Sequence, residues 1–286
     1  MVDGLLVVDK AEGPTSFDVV ARARRALGTR SIGHTGTLDP LASGVLVLLA
    51  GNWTRLANVL VSDDKRYRAT ITFGAATSTD DRAGEVIARG DPATVDEERL
   101  AGALAGMLGV QRQVPPAFSA IHVEGERAYH KARRGEAVVL EAREVEIRAL
   151  ELVSWRAPDA VVDVHCSKGT YVRALARDLG RALGVPAHLS ALRRTAAGPW
   201  TLDDAIPLTA LEDAAAARAA LRTGPAALRA VTLIPVDEAT TAALRQGKRV
   251  PWSAPDTAAA VAHHGEQLVA IVAVEDGRLR VLRGFG

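Results

Sequence analysis

From residue 66 to residue 73 the side chains alternate in character. Tyr67, Ala69, Ile71 and Phe73 fall on one side, and Arg66, Arg68, Thr70 and Thr72 on the other. A period of two predicts a half-buried strand. Tyr67 starts its apolar side, where the phenol hydroxyl needs a partner or an open pocket. Continuous apolar runs at residues 5–8 and 44–50 predict shorter, fully buried strands. Residues 143–153 and 160–166 read as adjacent strands joined through Ala157-Pro158-Asp159. Near the C-terminus, residues 268–274 and 278–285 flank Glu275-Asp276-Gly277, a hairpin pattern with an Asp-Gly turn.

A helical period appears elsewhere. Thr15 or Ser16 can cap a helix that Gly28 ends, with Phe17, Val20, Arg24 and Leu27 on one side. Thr94 and Glu97 have capping-box spacing ahead of a stripe of Leu100, Leu104 and Leu108. Thr170 is placed to cap a helix over 171–183. Its core contacts are Val172, Leu175, Leu179 and Leu183, with Arg173, Arg177 and Arg181 along a neighbouring face. Residues 203–225 are alanine-rich and helical in propensity. Strands and helices do not alternate regularly, which favours α+β over a doubly wound sheet. A boundary near residue 228 divides a main domain, 1–228, from a small β-rich module, 229–286.

Composition narrows the function. The 286 residues carry a net charge of +1, so bulk charge announces no nucleic-acid binder. The basic residues nonetheless cluster, at Arg22/Arg24/Arg25/Arg30, Lys65/Arg66/Arg68, Lys131/Arg133/Arg134 and Arg193/Arg194. Brought together by the fold, they would make a phosphate-binding surface; separately, each is a solvated face. The single cysteine, Cys166, rules out an internal disulfide and any multi-cysteine zinc site. No run approaches the length of a membrane span, and the cytoplasm is the expected location. Dinucleotide, P-loop and HExxH signatures are all missing.

The chemistry concentrates in His34-Thr35-Gly36-Thr37-Leu38-Asp39-Pro40-Leu41-Ala42-Ser43-Gly44. Gly36 and Gly44 permit close backbone approach, and Pro40 restricts the chain after Asp39. A carboxylate held there is either a structural turn residue or a nucleophile that position and desolvation must activate. His34 has no histidine or cysteine at ligand spacing, so no metal role is assigned.

This segment occurs with Lys65-Arg66-Tyr67-Arg68-Ala69, Gln113-Val114-Pro115-Pro116 and Tyr171-Val172-Arg173-Ala174-Leu175. Together they resemble the TruB family of tRNA pseudouridine synthases, over roughly residues 3–204. The resemblance implies a pseudouridine synthase core with a mixed, largely antiparallel sheet flanked by helices, followed by a PUA-like module. It implies isomerisation of uridine 55 in the tRNA T-loop, on a nucleotide swung out of its stack, with no metal or organic cofactor. The expected partner is the tRNA T-arm and the expected state a monomer. By resemblance Asp39 is the nucleophile, Tyr67 stacks on the uracil and takes part in proton transfer from C5, and Arg173 pairs with Asp39. His34 holds the displaced loop. Lys10 either contacts RNA or makes a supporting polar bond, since Ala11 stands where the family commonly has proline. Tyr171 frames the pocket or packs at the helix start, and Leu192 forms a wall. Arg66, Arg68, Lys131, Arg193, Arg194, Lys248 and Arg249 are the candidate RNA-backbone contacts. For the C-terminal module, phosphate binding and simple stabilisation both stand.

Overall fold

The computed structural model describes residues 2–60, 64–119, 121–123, 125–136, 138–229 and 231–285. The chain forms two compact units. One joins residues 1–62 to 196–286, and the other comprises 63–195.

In the first unit the strand Gly4–Lys10 pairs antiparallel with Ala42–Ala50 and parallel with Ile206–Pro207. Ile32–His34 pairs antiparallel with Ala42–Ala50 as well. The apolar runs read from the sequence are therefore central strands, buried along almost their whole length. The helix Ser16–Leu27 starts in a reciprocal capping box between Thr15 and Asp18, a feature typically worth about 1 kcal/mol. Its buried face differs from the expected one. Ser16, Val19, Val20, Ala23, Ala26 and Leu27 face inward, while Phe17 is 66% exposed with the Arg24 guanidinium over its ring. Val20 and Leu27 are buried as expected; Phe17 is not, and Val19, Ala23 and Ala26 complete the buried face.

The C-terminal residues of the same unit form a five-stranded sheet in the order Leu233–Pro235, Thr257–His264, Gln267–Glu275, Arg278–Gly284, Val250–Pro251. The Asp-Gly hairpin is present, and both turn residues have positive φ, 51° at Asp276 and 68° at Gly277, as a type I′ turn requires. Gln267–Glu275 is buried on both faces, because the sheet lies between two apolar clusters. Val269, Val272, Val274 and Leu279 pack with Leu244 of the helix Glu238–Arg245. Leu268 and Ile271 instead join Leu5, Val7, Val47, Trp53 and Leu228. Residues on both sides of position 228 thus share one core. The alanine-rich stretch is less helical than expected: only Ala214–Ala219 forms an α-helix, capped by Asp213.

In the second unit five strands run in the order Ala187–Ala197, Asp64–Phe73, Asp159–Ser167, Arg143–Arg156, Gly109–Gln113. The last three pairings are antiparallel. The alternation in Asp64–Phe73 appears as read: Tyr67, Ala69, Ile71 and Phe73 are buried. The helices Glu97–Ala105 and Val172–Leu183 pack against each other and on the sheet. Two helix boundaries depart from expectation. Asp96, not Thr94, caps the first helix, which stops before Leu108 and leaves that side chain outside. The second has Tyr171 at its cap with no side-chain cap bond. The α+β class and the mixed, mainly antiparallel sheets agree with the sequence reading.

Candidate active site

The loop bearing Asp39 connects Ile32–His34 to Ala42–Ala50, with His34 opposite Leu48. It is tied down on both sides of the carboxylate. Before Asp39, the Ser16 hydroxyl donates to Leu38 O at 2.9 Å and accepts from Leu38 N at 2.8 Å. After it, Gly13 N donates to Pro40 O at 2.8 Å, and Ala42 N donates to Asp39 O at 3.0 Å. Leu38 and Leu41 are buried, whereas Asp39 is half-buried. Gly44 has φ of 106°, a conformation open chiefly to glycine, and it sits opposite Lys10 in the sheet.

Lys10 is 0% exposed, and its Nζ donates to Ala11 O at 2.9 Å and Pro14 O at 2.7 Å. Of the two readings for this lysine, burial favours the supporting bond over an RNA contact. The ammonium closes the turn at 11–14, the same turn from which Gly13 reaches the Asp39 loop. No sequence signal distinguished this lysine from a surface one, because its partners are backbone carbonyls.

In the second unit Tyr67 is buried opposite Val164. Arg66 and Arg68, expected beside it as RNA contacts, point to the opposite face of the strand. There Arg68 makes a two-point ion pair with Asp163, at 2.8 and 2.7 Å.

Arg173 is 5% exposed and does not line an open edge with Arg181, as the helical spacing suggested. Its guanidinium donates to Thr79 O and Phe118 O at 3.0 Å each and lies 3.7 Å from the Asp81 carboxylate. Arg177, one turn on, pairs with Asp80 at 2.8 Å and donates to Val114 O at 2.7 Å. Burial pushes the Asp80 carboxyl up against the pull of Arg177. Two arginines of one helix therefore hold the 78–85 loop and the 113–118 segment in place. Asp81 also accepts from Thr79 Oγ1 at 2.6 Å and Ala83 N at 2.9 Å. Both carboxylates are engaged as scaffold.

Tyr171 is half-buried, its backbone held by the Gln113 side chain. Leu192 is buried on Ala187–Ala197. Arg193 is half-buried, but Arg194 is 1% exposed, so it cannot serve as the surface phosphate contact expected of it. Lys131 is half-buried on the helix Ala128–Arg133, Arg134 pairs with Glu126 and Glu136, and the Arg133 side chain lies outside the described residues. Lys248 and Arg249 are exposed in the C-terminal module. Asp39, His34 and Lys10 belong to the first unit; Tyr67, Tyr171, Arg173 and Leu192 to the second. Sequence reasoning missed the roles of Ser16 and Asp81: Ser16 reads as a helix-cap candidate and Asp81 as loop polarity until the fold supplies the distant partner of each.

Among the described residues no cluster of three or more metal-ligating side chains occurs, and no helix is long and apolar enough to cross a membrane.

Comparison with known proteins fits this geometry. Residues 24–172 match the N-terminal domain model of the TruB family pseudouridylate synthases, and 173–241 match the tRNA pseudouridylate synthase B C-terminal domain. A Corynebacterium efficiens protein named tRNA pseudouridine synthase B is 47% identical over 88% of this chain and 84% of its own length. A protein of the same name from Leifsonia xyli subsp. xyli is 45% identical over 99% of this chain and 96% of its own. The fold also resembles a protein in a solved H/ACA ribonucleoprotein bound to a substrate RNA, with a TM-score of 0.75 at 23% identity, covering 99% of this chain and 85% of that one. The chain belongs to the TruB family of pseudouridylate synthases.

Proposed function

We propose that this tRNA pseudouridine synthase acts on the uridine at position 55, in the T-loop, and that Asp39 is its nucleophile. One observation carries the reading: the Asp39 side chain is partly open to solvent while the backbone on either side of it is bound to the first helix and the turn before it. Such a loop presents a carboxylate at low reorganisation cost, which is what an intrinsically modest nucleophile needs.

The reaction breaks the N1–C1′ bond, turns the uracil and forms a C5–C1′ bond; C5 loses a proton and N1 gains one. Reactant and product have the same atoms and oxidation level, so no redox cofactor or group donor is called for. Tyr67 is the proposed ring beside the uracil and the group that handles the C5 proton, and Arg173 the cation of the site. His34, Tyr171 and Leu192 are proposed to receive the displaced nucleotide. A base leaving its stack costs a few kcal/mol, which side-chain stacking partly returns. Exposed Arg66, Lys248 and Arg249, with Lys131 and Arg193, are proposed to meet the T-arm backbone. Residues 229–286 are proposed as the RNA-binding module, and the protein as a cytoplasmic monomer.

The test is site-resolved pseudouridine mapping on a mixture of unmodified tRNAs, with wild type and Asp39→Asn side by side. Wild type should modify position 55 alone. Asp39→Asn should bind tRNA and form no product. Modification at another position would refute the site assignment, and turnover by Asp39→Asn would refute the nucleophile.

A further inference from the structure

We propose that Ser16 is a positioning residue for this reaction, setting the place of Asp39 through the peptide that precedes it. The inference rests on Asp39 being the nucleophile.

A serine hydroxyl has one proton and two lone pairs, so it can donate and accept at once. Ser16 does both to a single residue: Oγ donates to Leu38 O at 2.9 Å and accepts from Leu38 N at 2.8 Å. The Leu38 carbonyl belongs to the peptide whose nitrogen is Asp39 N. Holding that oxygen fixes the plane from which the Asp39 side chain departs. Leu38 itself is buried, so its side chain opposes rotation of the same peptide. The serine is in turn buried in the first helical turn, beside the Thr15–Asp18 capping box. The bonds to Pro40 O and Asp39 O use only backbone donors, Gly13 N and Ala42 N. Ser16 is thus a side-chain grip on the peptide leading into Asp39, and one that substitution can remove.

Misplacing a reacting group by about 1 Å can cost about 100-fold in rate. Ser16→Ala removes the hydroxyl. Ser16→Thr and Ser16→Val have the same shape and differ only in having or lacking it. Single-turnover pseudouridine formation at saturating enzyme, tRNA affinity and circular dichroism are measured for all three, with Asp39→Asn alongside. Ser16→Ala and Ser16→Val should bind tRNA as wild type does and lose about 10- to 100-fold in rate. Ser16→Thr should regain most of that loss relative to Ser16→Val. Wild-type rates in Ser16→Ala, or a rate loss matched by an affinity loss, overturn the proposal. If Ser16→Ala does not fold, Ser16→Cys is read by the same criteria. Failure of both to fold overturns it too, by making the hydroxyl a folding requirement. The two readings separate cleanly: an active Asp39→Asn removes the nucleophile whatever Ser16 does, whereas an inactive Asp39→Asn beside a fully active Ser16→Ala removes only the positioning role.

Discussion

The side-chain amide of Gln113 closes a ring on the backbone of Tyr171, accepting from Tyr171 N at 2.8 Å through Oε1 and donating to Tyr171 O at 3.2 Å through Nε2. It does for one residue what a neighbouring strand does for many, and it replaces the side-chain cap that the helix Val172–Leu183 lacks. Gln113→Leu keeps the approximate volume and deletes both bonds, stranding a helix-start amide. A buried polar group left unpaired costs about 1–3 kcal/mol, so we expect a loss of that size by urea denaturation. A variant as stable as wild type would mean that water replaces the amide.

Arg173 and Asp81 form a buried charged pair in the second unit, and the guanidinium also satisfies two backbone carbonyls. Removing one member of such a pair leaves an uncompensated charge inside. Arg173→Met should therefore cost about 3–5 kcal/mol of stability. In the double variant Arg173→Met/Asp81→Asn the lone carboxylate is gone, and the loss should be smaller than the sum of the two single losses. Strict additivity in the denaturation data would show that the two groups do not act as a pair.

The strands were legible because their pattern is local. Tyr67 through Phe73 alternates, and the Asp276-Gly277 turn needs only its two residues. The Asp39 segment and the Arg173 helix were legible as motifs for the same reason. What stayed hidden depends on partners far along the chain. Phe17 reads as core because it is large, yet it is exposed, and Val19, Ala23 and Ala26 are among the buried residues of that helix. Arg194 reads as a phosphate contact because charge usually means surface, yet it is buried, and burial decides between the two readings of Lys10.

Cys166 is fully buried in the strand Asp159–Ser167, and burial pushes its thiol up to about 11. Its thiolate, the reactive form, is scarce in the folded protein at neutral pH. Iodoacetamide at pH 8 should leave the native protein unmodified and label it once in urea. Fast labelling of the native state would place this strand in rapid exchange with an open form.

Asp18 gives a pH dependence whose sign is fixed by its contacts. Its carboxylate accepts from Thr15 Oγ1 at 2.7 Å and Thr15 N at 2.8 Å, and these bonds hold its pKa below the ordinary 3.8. The folded state therefore binds this proton more weakly than the unfolded state, so stability rises with pH across the interval between the two values. The contribution is complete above the unfolded value and is lost as pH falls through the folded one. Asp18→Asn does not titrate, and the other carboxylates are common to both proteins. The difference in urea midpoint between wild type and Asp18→Asn should thus be flat from pH 7 to about 5 and shrink below about 4. A difference that persists unchanged to the acid limit would mean that the capping bonds do not favour the ionised form. The same titration bears on the site, because Thr15 and Asp18 flank the serine that grips Leu38. If the cap loosens in acid, the ratio of the wild-type to the Asp18→Asn single-turnover rate should fall over the same interval.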